Sequence, residues 1–481
     1  MKKLTVNILD YGVVPNEEKI QTKKFQEAID FCFNQGGGEV VVPQGVYVIG
    51  DIRLRSNITL HLLENAVLKG SINPADYLNV LNDNLEPLPK EEIYTKEWKS
   101  ASYRTPEESF GQLDGSGSRW NYGMIRILFA ENVSIIGEKG SVIDGQNCFD
   151  EKGEEHYRGP HGINVHKSKN LYFSGYTIKN TGNWAHCIFT SKNVTVENVT
   201  VLAGHDGVHF RGCDNAIVKD CVVKTGDDAV AGFDNINMLV KDCYFESACN
   251  TFRLGGTNVR IENCKSEGPC TYPFRGSLTL EEKAKRVEDS ATSRKNNASF
   301  FTYIIDASRK VRYTPGNIVI KNCTVKNAYR FFRLNLSGSE VWQKGLPPEN
   351  ITFENIKADG VRMHITVFGN DDIPLELNMK NIEYTFEKEN TDAVLEKSDA
   401  PFDLNAKNTP QPKENIDTAF IHAGKFGKIN LENVNITNFK GDTFIRLWDD
   451  KEKIFMKNVK CDKDVLENIV EMKEEFGPKY L

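Results

Sequence analysis

The stretch from Asn193 to Cys264 decides the fold, because it contains four copies of one short pattern. The copies read NVTVENV from Asn193, NAIVKDC from Asn215, NMLVKDC from Asn237 and NVRIENC from Asn258, with starting points 22, 22 and 21 residues apart. Each copy alternates apolar with polar residues, which is typical of a half-buried strand. A strand this short cannot bury enough surface to be stable alone. The repeat therefore predicts a solenoid whose coils of about 20 residues stack around one continuous core.

Weaker copies extend the repeat in both directions, and they begin at Asn132, Asn170, Asn317, Asn350, Ile429 and Ile454. Because the same asparagine recurs at one position of each coil, we expect an asparagine side-chain ladder along one turn of the solenoid. The copies end in small apolar residues, which are cysteine at Cys221, Cys243, Cys264 and Cys323. We expect these cysteines to form an interior stack of free thiols rather than disulfides or a metal site.

The N-terminal segment departs from the repeat. The pattern of Thr22–Phe33 (TKKFQEAIDFCF) places Phe25, Ala28, Ile29 and Cys32 on one helical face, which predicts a helix that caps the first coil. The sequence thus predicts an all-β fold, a single-stranded right-handed parallel β-helix with an N-terminal capping helix. We expect one domain over residues 1–481, with the cap and first coil at about 1–50 and insertions at about 276–298 and 387–415.

Composition narrows the possible classes of protein. The net charge of -7 argues against a nucleic-acid binder, which needs a basic face, and an acidic ligand would need local Arg or Lys. No apolar run reaches membrane-spanning length, and MKKLTVNILD at the start lacks the apolar stretch of a signal peptide. We therefore expect a cytoplasmic protein that has no membrane partner, with secretion only if a leader had been removed.

Three acidic residues occupy one position on consecutive coils. Asp206 lies in GHDGVHF, and Asp227 and Asp228 form the pair in KTGDDAVAGF. Asp206 and Asp228 are 22 residues apart, so we expect their carboxylates within roughly 5–6 Å of each other, from the spacing of adjacent strands. Adjacent like charges raise one carboxyl pKa and so separate a proton donor from a base, as glycoside hydrolysis requires. Asp is also common in turns, but three in register favour chemistry over a turn role.

From about Asn7 to Ile356 the chain resembles the family 28 glycoside hydrolases, the polygalacturonases and rhamnogalacturonases. The resemblance is carried by the opening NILDYGVVPN and by VSIIGEKGSVIDGQ, RGPHGINV and IKNTGNWAHCIFTSKNVTVENVTV. The Asn-Thr-Asp motif of the family corresponds to Gly204-His205-Asp206, and its Gly-Asp-Asp motif corresponds to Gly226-Asp227-Asp228. The resemblance implies that Asp227 is the general acid, that Asp206 and Asp228 activate the attacking water, and that the reaction inverts configuration.

Two family motifs are not matched in this sequence. The Gly-His-Gly motif should fall one coil after Asp228, where the following Phe-Arg-Leu-Gly string places Asn250 at the position of the histidine. The Arg-Ile-Lys motif, which grips the galacturonate carboxylate, is absent, and the nearest candidate is Arg275 in Phe274-Arg275-Gly276. Asparagine forms hydrogen bonds but cannot shuttle a proton. We therefore expect that hydrolysis of a glycoside is retained and that the substrate is a sugar other than galacturonate.

Several side chains beside the carboxylates are candidates for binding the substrate, namely Asn250, Arg253, Arg275, His205, His209 and Trp184. Strings like that around Arg253 recur at Arg333 and Arg446, so a repeated strand with an outward arginine is the alternative interpretation. His205 is a candidate replacement for the missing histidine, or else a histidine of a surface turn. Trp184 is suited to stacking on a sugar ring, although aromatic residues are as common in ordinary packing.

Two rival functions remain open at this level. A polysaccharide lyase or epimerase on the same fold would hold Ca²⁺ with the three aspartates and use Arg253 or Arg275 as the base. A carbohydrate-binding relic without catalysis would also show the loss of the histidine. We favour a hydrolase without cofactor or metal, whose partner is a plant cell-wall oligosaccharide or polysaccharide. If the protein is cytoplasmic, we expect it to trim short imported oligosaccharides from one end.

Overall fold

The computed structural model describes residues 4–77, 122–153, 157–272, 297–306, 311–337, 343–387 and 419–473. In these segments 34 strands form one continuous hydrogen-bonded set, and every pairing within it is parallel. Each coil contributes strands to three sheets, which wind as a right-handed parallel β-helix. The predicted fold class is therefore confirmed.

We name the three sheets the ladder sheet, the back sheet and the groove sheet. The ladder sheet contains the strands Thr5–Asn7, Gly38–Val42, Ile58–Leu62, Glu131–Gly137, Lys169–Ser174, Lys192–Glu197, Asp214–Lys219 and Gly316–Lys321. The back sheet contains the strands Gly45–Ile49, Ala66–Gly70, Val142–Asp144, Thr177–Lys179, Thr200–Ala203, Val222–Thr225, Tyr244–Ser247, Lys265–Glu267 and Thr324–Lys326.

The groove sheet contains the strands Ile52–Leu54, Gly123–Leu128, His161–His166, His186–Phe189, Val208–Arg211, Asn297–Tyr303, Ala328–Asn335, Ile365–Phe368, Ala419–Gly424, Thr443–Trp448 and Ile469–Glu471. Longer strands cross a corner of the coil. Two run from the groove sheet into the ladder sheet, Val230–Lys241 and Asn250–Glu262, and four run from the ladder sheet into the back sheet, Asn350–Val361, Glu376–Phe386, Lys428–Thr437 and Ile454–Cys461. A separate pair is formed by Ile305–Asp306 and Gln343–Lys344, and short 3₁₀ turns cover Ile8–Tyr11, Pro74–Tyr77 and Lys451–Lys453.

The predicted asparagine ladder is present at the entry to the ladder sheet. The side-chain amide of Asn237 donates to Asn215 at 3.1 Å and accepts from Asn258 at 3.0 Å, and the same contact recurs on the neighbouring coils. These asparagines have positive φ angles, +56° at Asn237, and asparagine tolerates this left-handed conformation better than most residues. The recurring residue therefore serves both the turn and the stacking of coils.

The predicted interior stack of cysteines is also present. Cys221, Cys243, Cys264 and Cys323 are buried, and all eleven cysteines of the chain are free thiols. The backbone amide of Cys221 donates to the sulfur of Cys243 at 3.4 Å, so these side chains sit one above the other inside the coil. They belong to the large apolar core that runs along the stack.

The capping helix spans Thr22–Asn34, and its buried residues are the four predicted, Phe25, Ala28, Ile29 and Cys32. The ring of Phe25 packs edge-on against Tyr47 of the first coil, with ring centroids 5.8 Å apart. Within the described segments no helix is long and apolar enough to span a membrane.

The two predicted insertions fall mostly outside the described residues, which omit 273–296 and 388–418. The groove strand Asn297–Tyr303 begins close to the predicted end of the first insertion at about residue 298.

Candidate active site

The predicted carboxylates lie in the turns that join the back sheet to the groove sheet. Asp206 follows the strand Thr200–Ala203, and Asp227 and Asp228 follow the strand Val222–Thr225 one coil later. A backbone hydrogen bond of 2.9 Å joins the residue after Asp206 to the carbonyl of Asp228. The two turns are therefore stacked in register, as the spacing of 22 residues predicts.

Hydroxyl groups and a glycine fix the shape of these turns. The carbonyl of Asp227 accepts hydrogen bonds from the hydroxyls of Thr225, at 2.9 Å, and Ser247, at 2.7 Å. A side chain at Gly207 would bring its Cβ within 2.6 Å of the carbonyl of Ala229 on the next coil. The close approach of consecutive coils thus requires glycine beside Asp206.

The three carboxylates differ in exposure and face two guanidinium groups. The side chains of Asp206 and Asp228 are 4% and 2% exposed, whereas that of Asp227 is 18% exposed. Arg158 lies 3.7 Å from Asp227, and Arg253 lies 3.4 Å from Asp228. Three potential negative charges therefore face two permanent positive charges, and the excess negative charge favours a proton retained within the cluster.

The pKa of Asp206 is consistent with a retained proton. Burial raises this pKa well above its ordinary value, and the carboxylates of Asp227 and Asp228 raise it further. The guanidiniums of Arg158 and Arg253 oppose the shift but do not cancel it. Like charges in one site titrate as a group rather than independently, so the proton belongs to the cluster.

His209 orients Asp206 from the groove sheet. The Nδ1 atom of His209 lies 2.7 Å from Oδ2 of Asp206, and its ring stacks on Trp184 with centroids 3.8 Å apart and planes 4° apart. Burial lowers the pKa of His209 well below its ordinary value, and Arg211 and Arg253 lower it further. The imidazole is therefore neutral near pH 7 and can exchange a hydrogen bond with the carboxyl group without carrying charge.

Asn250 occupies the position one coil beyond Asp228 that the sequence predicts. Its side-chain amide donates to Asp228 Oδ1 at 2.6 Å, and its own Oδ1 accepts from the hydroxyl of Thr302 at 2.8 Å. The amide group thus holds Asp228 in place. Its geometry is that of a positioning residue for the carboxylate.

Arg253 also contacts Asp228, and its guanidinium group remains protonated. Burial lowers its pKa, but the carboxylates of Asp228 and Asp206 outweigh burial, so the net shift is upward from an already high value. A guanidinium that retains its proton can bind and stabilise anions but cannot act as a base.

One group of potential metal ligands lies in the site. Carboxylate oxygens of Asp227 and Asp228 and the sulfur of Cys249 lie within 4.8 Å of one another. Calcium prefers a shell of six to eight oxygen atoms, whereas this group mixes a soft sulfur with carboxylates that already contact arginines. The group therefore fits the Ca²⁺ of a lyase poorly.

The other predicted residues are placed less favourably for contact with a substrate. His205 is fully buried, with its ring 5.7 Å from that of Tyr157, and is therefore not in a surface turn. Trp184 is 7% exposed and has one face covered by His209, so it supports that ring more than it offers a platform for a sugar. Arg275 lies outside the described residues.

Two further residues belong to the site: Arg158, which lies in the RGPHG stretch that the sequence indicates, and Thr302, which was not singled out from the sequence. Arg158 is held by the hydroxyl of Tyr157 at 3.1 Å and by the side-chain oxygen of Asn183 at 3.2 Å, which direct its guanidinium toward Asp227. Thr302 contacts Asn250 from a strand 52 residues further along the chain. Thr302 follows the insertion that interrupts the repeat after Cys264. The sequence does not show how many residues of this insertion belong to a coil, so the position of Thr302 relative to Asn250 could not be counted.

Comparison with known proteins confirms the resemblance seen in the sequence. Residues 103–247 match the family described as Glycosyl hydrolases family 28. A probable polygalacturonase of Vitis vinifera is 27% identical over 236 residues, which is 46% of this chain and 42% of that protein. An exo-poly-alpha-D-galacturonosidase of Dickeya chrysanthemi is 27% identical over 242 residues, 45% of this chain and 40% of that protein. The match therefore spans less than half the length of these relatives.

Solved structures support the fold. An exopolygalacturonase from Thermotoga maritima aligns with a TM-score of 0.50 at 18% identity, covering 80% of this chain and 88% of that one. A family 28 exopolygalacturonase from Yersinia enterocolitica aligns with a TM-score of 0.55 at 15% identity, covering 95% and 78%. At these identities the likeness establishes the β-helix architecture, and the chemistry must be argued from the site.

Proposed function

We propose that this chain, a divergent relative of the family 28 glycoside hydrolases, hydrolyses glycosidic bonds in a pectin-type oligosaccharide or polysaccharide. The observation that carries the proposal is the stacking of Asp206 against the pair Asp227 and Asp228, in turns beside the groove sheet. The probable polygalacturonase of Vitis vinifera and the exo-poly-alpha-D-galacturonosidase of Dickeya chrysanthemi carry polygalacturonase-type names, which supports the substrate class.

Asp227 is assigned the role of general acid. Its carboxyl group is the most exposed of the three, and it can therefore reach the oxygen of a glycosidic bond. The raised pKa of Asp206 supports a cluster that retains a proton near neutral pH, and close carboxyl groups can pass that proton to Asp227. A positioned acid contributes roughly 10²–10⁴-fold to such a reaction.

Asp206 and Asp228 are assigned to hold and activate the attacking water. Each carboxylate is fixed by a separate neighbour, His209 for Asp206 and Asn250 for Asp228, so both point into the same turn region. As the bond from the anomeric carbon to the leaving oxygen breaks, that oxygen takes the proton of Asp227. Water adds to the carbon and gives its proton to the buried pair. Attack from the opposite face inverts the configuration.

The charges of the site support hydrolysis over elimination. A lyase would need an unprotonated base and a cation held by the three aspartates. Arg253, the candidate base among the described residues, has a raised pKa and is bound to Asp228. The two arginines already supply the positive charge that a calcium ion would bring.

The test is a panel of plant-wall oligosaccharides incubated with the protein in the presence of a chelator. Mass spectrometry follows the addition of water, and ultraviolet absorbance follows unsaturated ends. We expect saturated products and no effect of the chelator. Unsaturated products that require Ca²⁺ would show that the protein is a lyase and not a hydrolase. Binding without cleavage of any substrate would support a carbohydrate-binding protein that has lost catalysis.

The same products report the mode of cleavage. Release of a single terminal unit from each chain is expected if the protein trims short oligosaccharides from one end. A mixture of long fragments at early times would show cleavage within the chain and would contradict that expectation.

A further inference from the structure

Arg333 lies on the groove sheet, two coils beyond Arg253. The parallel register pairs Arg253 with Thr302 and Thr302 with Arg333. The neighbours of Arg333 along its strand, Phe332 and Leu334, are fully buried in the core, so the arginine side chain projects from the outer face of the sheet. Two inter-strand spacings place it about 10 Å along the groove sheet from Arg253.

Arg333 differs from Arg158, Arg253 and Arg330 because its guanidinium has no acceptor among the residues that the structure describes. Arg158 and Arg253 contact carboxylates, and Arg330 donates to the hydroxyl of Thr366 at 3.2 Å. Among the residues that the structure describes, no carboxylate lies within ion-pair distance of Arg333, and its Nε is buried without an acceptor. A half-buried guanidinium stays charged, so its positive charge is costly there unless a negative group lies close to it.

The electrostatic surroundings of Arg333 also favour an incoming anion. Burial lowers the pKa of Arg333, and the nearby charge of Arg253 lowers it further, while Cys249 opposes the shift. Both lowering effects penalise the cationic form, and a bound negative charge would relieve them. A planar guanidinium matches a carboxylate with two parallel hydrogen bonds.

We propose that Arg333 binds the carboxylate of a uronic acid unit of the substrate. This inference rests on the proposed function and narrows it to an acidic oligosaccharide. It also revises the expectation that loss of the Arg-Ile-Lys motif implies another sugar, because Arg333 offers a carboxylate site at a different position of the groove.

The test measures binding directly, in a form of the protein that cannot turn the substrate over. Asp227→Asn is the background, and calorimetry compares a short oligogalacturonate with its methyl ester, which lacks the negative charges. Arg333→Gln is added to that background. Arg260→Gln is the matched control, because Arg260 is exposed on the ladder side and its loss changes the net charge equally.

We expect Arg333→Gln to weaken binding of the acid about 10- to 100-fold, the usual size of a hydrogen bond to a charged group, and to leave the ester unchanged. Arg333→Lys, which keeps the charge without the planar fork, should recover part of the loss. The Arg260→Gln control should bind like the background. An unchanged unfolding midpoint in all variants shows that each one is folded.

Two results would overturn the inference. In one, Arg333→Gln affects the acid and the ester alike; in the other, the background protein binds neither. Hydrolysis by the unmodified protein is measured separately. Cleavage of a neutral glycoside without binding of the acid would sustain the proposed function and reject the role of Arg333. If instead the acid binds in a way that depends on Arg333 but no glycoside is cleaved, the role of Arg333 is sustained and the proposed function is rejected.

Discussion

Replacing Asp206 with asparagine is expected to stabilise the fold while removing activity. Burial, together with Asp227 and Asp228, raises the pKa of Asp206 in the folded protein, whereas the unfolded chain releases this proton near the ordinary value of 3.8. The stability that the group contributes is therefore complete below the unfolded pKa and is lost as pH rises through the folded pKa. Between those limits the free energy of unfolding falls by about 1.4 kcal/mol per pH unit for this one proton.

Asparagine has nearly the same shape, retains an oxygen for the contact with His209 and cannot ionise. The Asp206→Asn variant should therefore gain stability relative to wild type by about 1.4 kcal/mol for each pH unit above the unfolded pKa, until the folded pKa is reached. Hydrolysis should fall by roughly 10²-fold or more, because a group that activates the attacking water is lost. The combination would identify Asp206 as a residue kept for chemistry at a cost in stability.

The assay is urea unfolding of both proteins at a series of pH values from about 4 to about 8, with the slope m compared at each pH. The buried histidines that do not contact Asp206 affect both proteins equally and cancel in the difference. Asp220→Asn, an exposed aspartate of the adjacent coil, is the control and should give a small difference that does not grow with pH. The reasoning fails if the Asp206→Asn difference is independent of pH, or if the variant is less stable throughout.

Further predictions concern the stack itself. His186 is buried with Nε2 2.9 Å from the hydroxyl of Tyr176, and burial lowers its pKa to about 4, although a backbone contact with Gly207 opposes this shift. The stability that neutral His186 contributes is present above the unfolded pKa of 6.5 and is lost as pH falls toward 4. In urea unfolding, wild type should therefore lose roughly 3 kcal/mol more stability over this pH range than His186→Gln does. An equal acid response in both proteins would contradict this. Asn237→Ala should cost about 2 kcal/mol in the same assay, since it removes two ladder contacts and strains a left-handed position, and Asn237→Gly should recover about 1 kcal/mol. Equal losses for alanine and glycine would remove the conformational part of that argument.

Much of the fold could be predicted because, in a solenoid, the length of the repeat determines which residues of neighbouring coils lie next to each other. The spacing of 22 residues fixes which side chains stack, so the ladder at Asn237, the thiol stack at Cys243 and the register of Asp206 with Asp228 all follow from counting. The capping helix follows from one apolar face. The ladder, the thiol stack and the register of the aspartates depend on the repeat alone and do not require the conformation of any loop to be known.

The remaining parts of the site depend on contacts that the repeat does not specify. Arg158 reaches Asp227 from a turn outside the aligned copies, and Thr302 reaches Asn250 across an insertion. The burial of His205 and the stacking of Trp184 on His209 depend on how side chains pack between coils, which spacing alone does not determine.

The sequence also does not determine which way His186 faces. In the structure His186 is an interior residue, and its Nε2 lies 2.9 Å from the hydroxyl of Tyr176. A histidine at a strand entrance has the same sequence pattern whether it faces the core or the groove, so pattern alone does not separate the two.

The most direct measurement compares wild type with Asp227→Asn on two substrates of the same sugar, a natural oligosaccharide and an aryl glycoside with a good leaving group. If Asp227 protonates the leaving oxygen, the variant should lose roughly 10²–10⁴-fold in rate on the oligosaccharide and far less on the aryl glycoside, whose leaving group needs no proton. Equal losses on both substrates, or full activity of the variant on the oligosaccharide, would contradict the account of this site as that of an acid-assisted glycoside hydrolase.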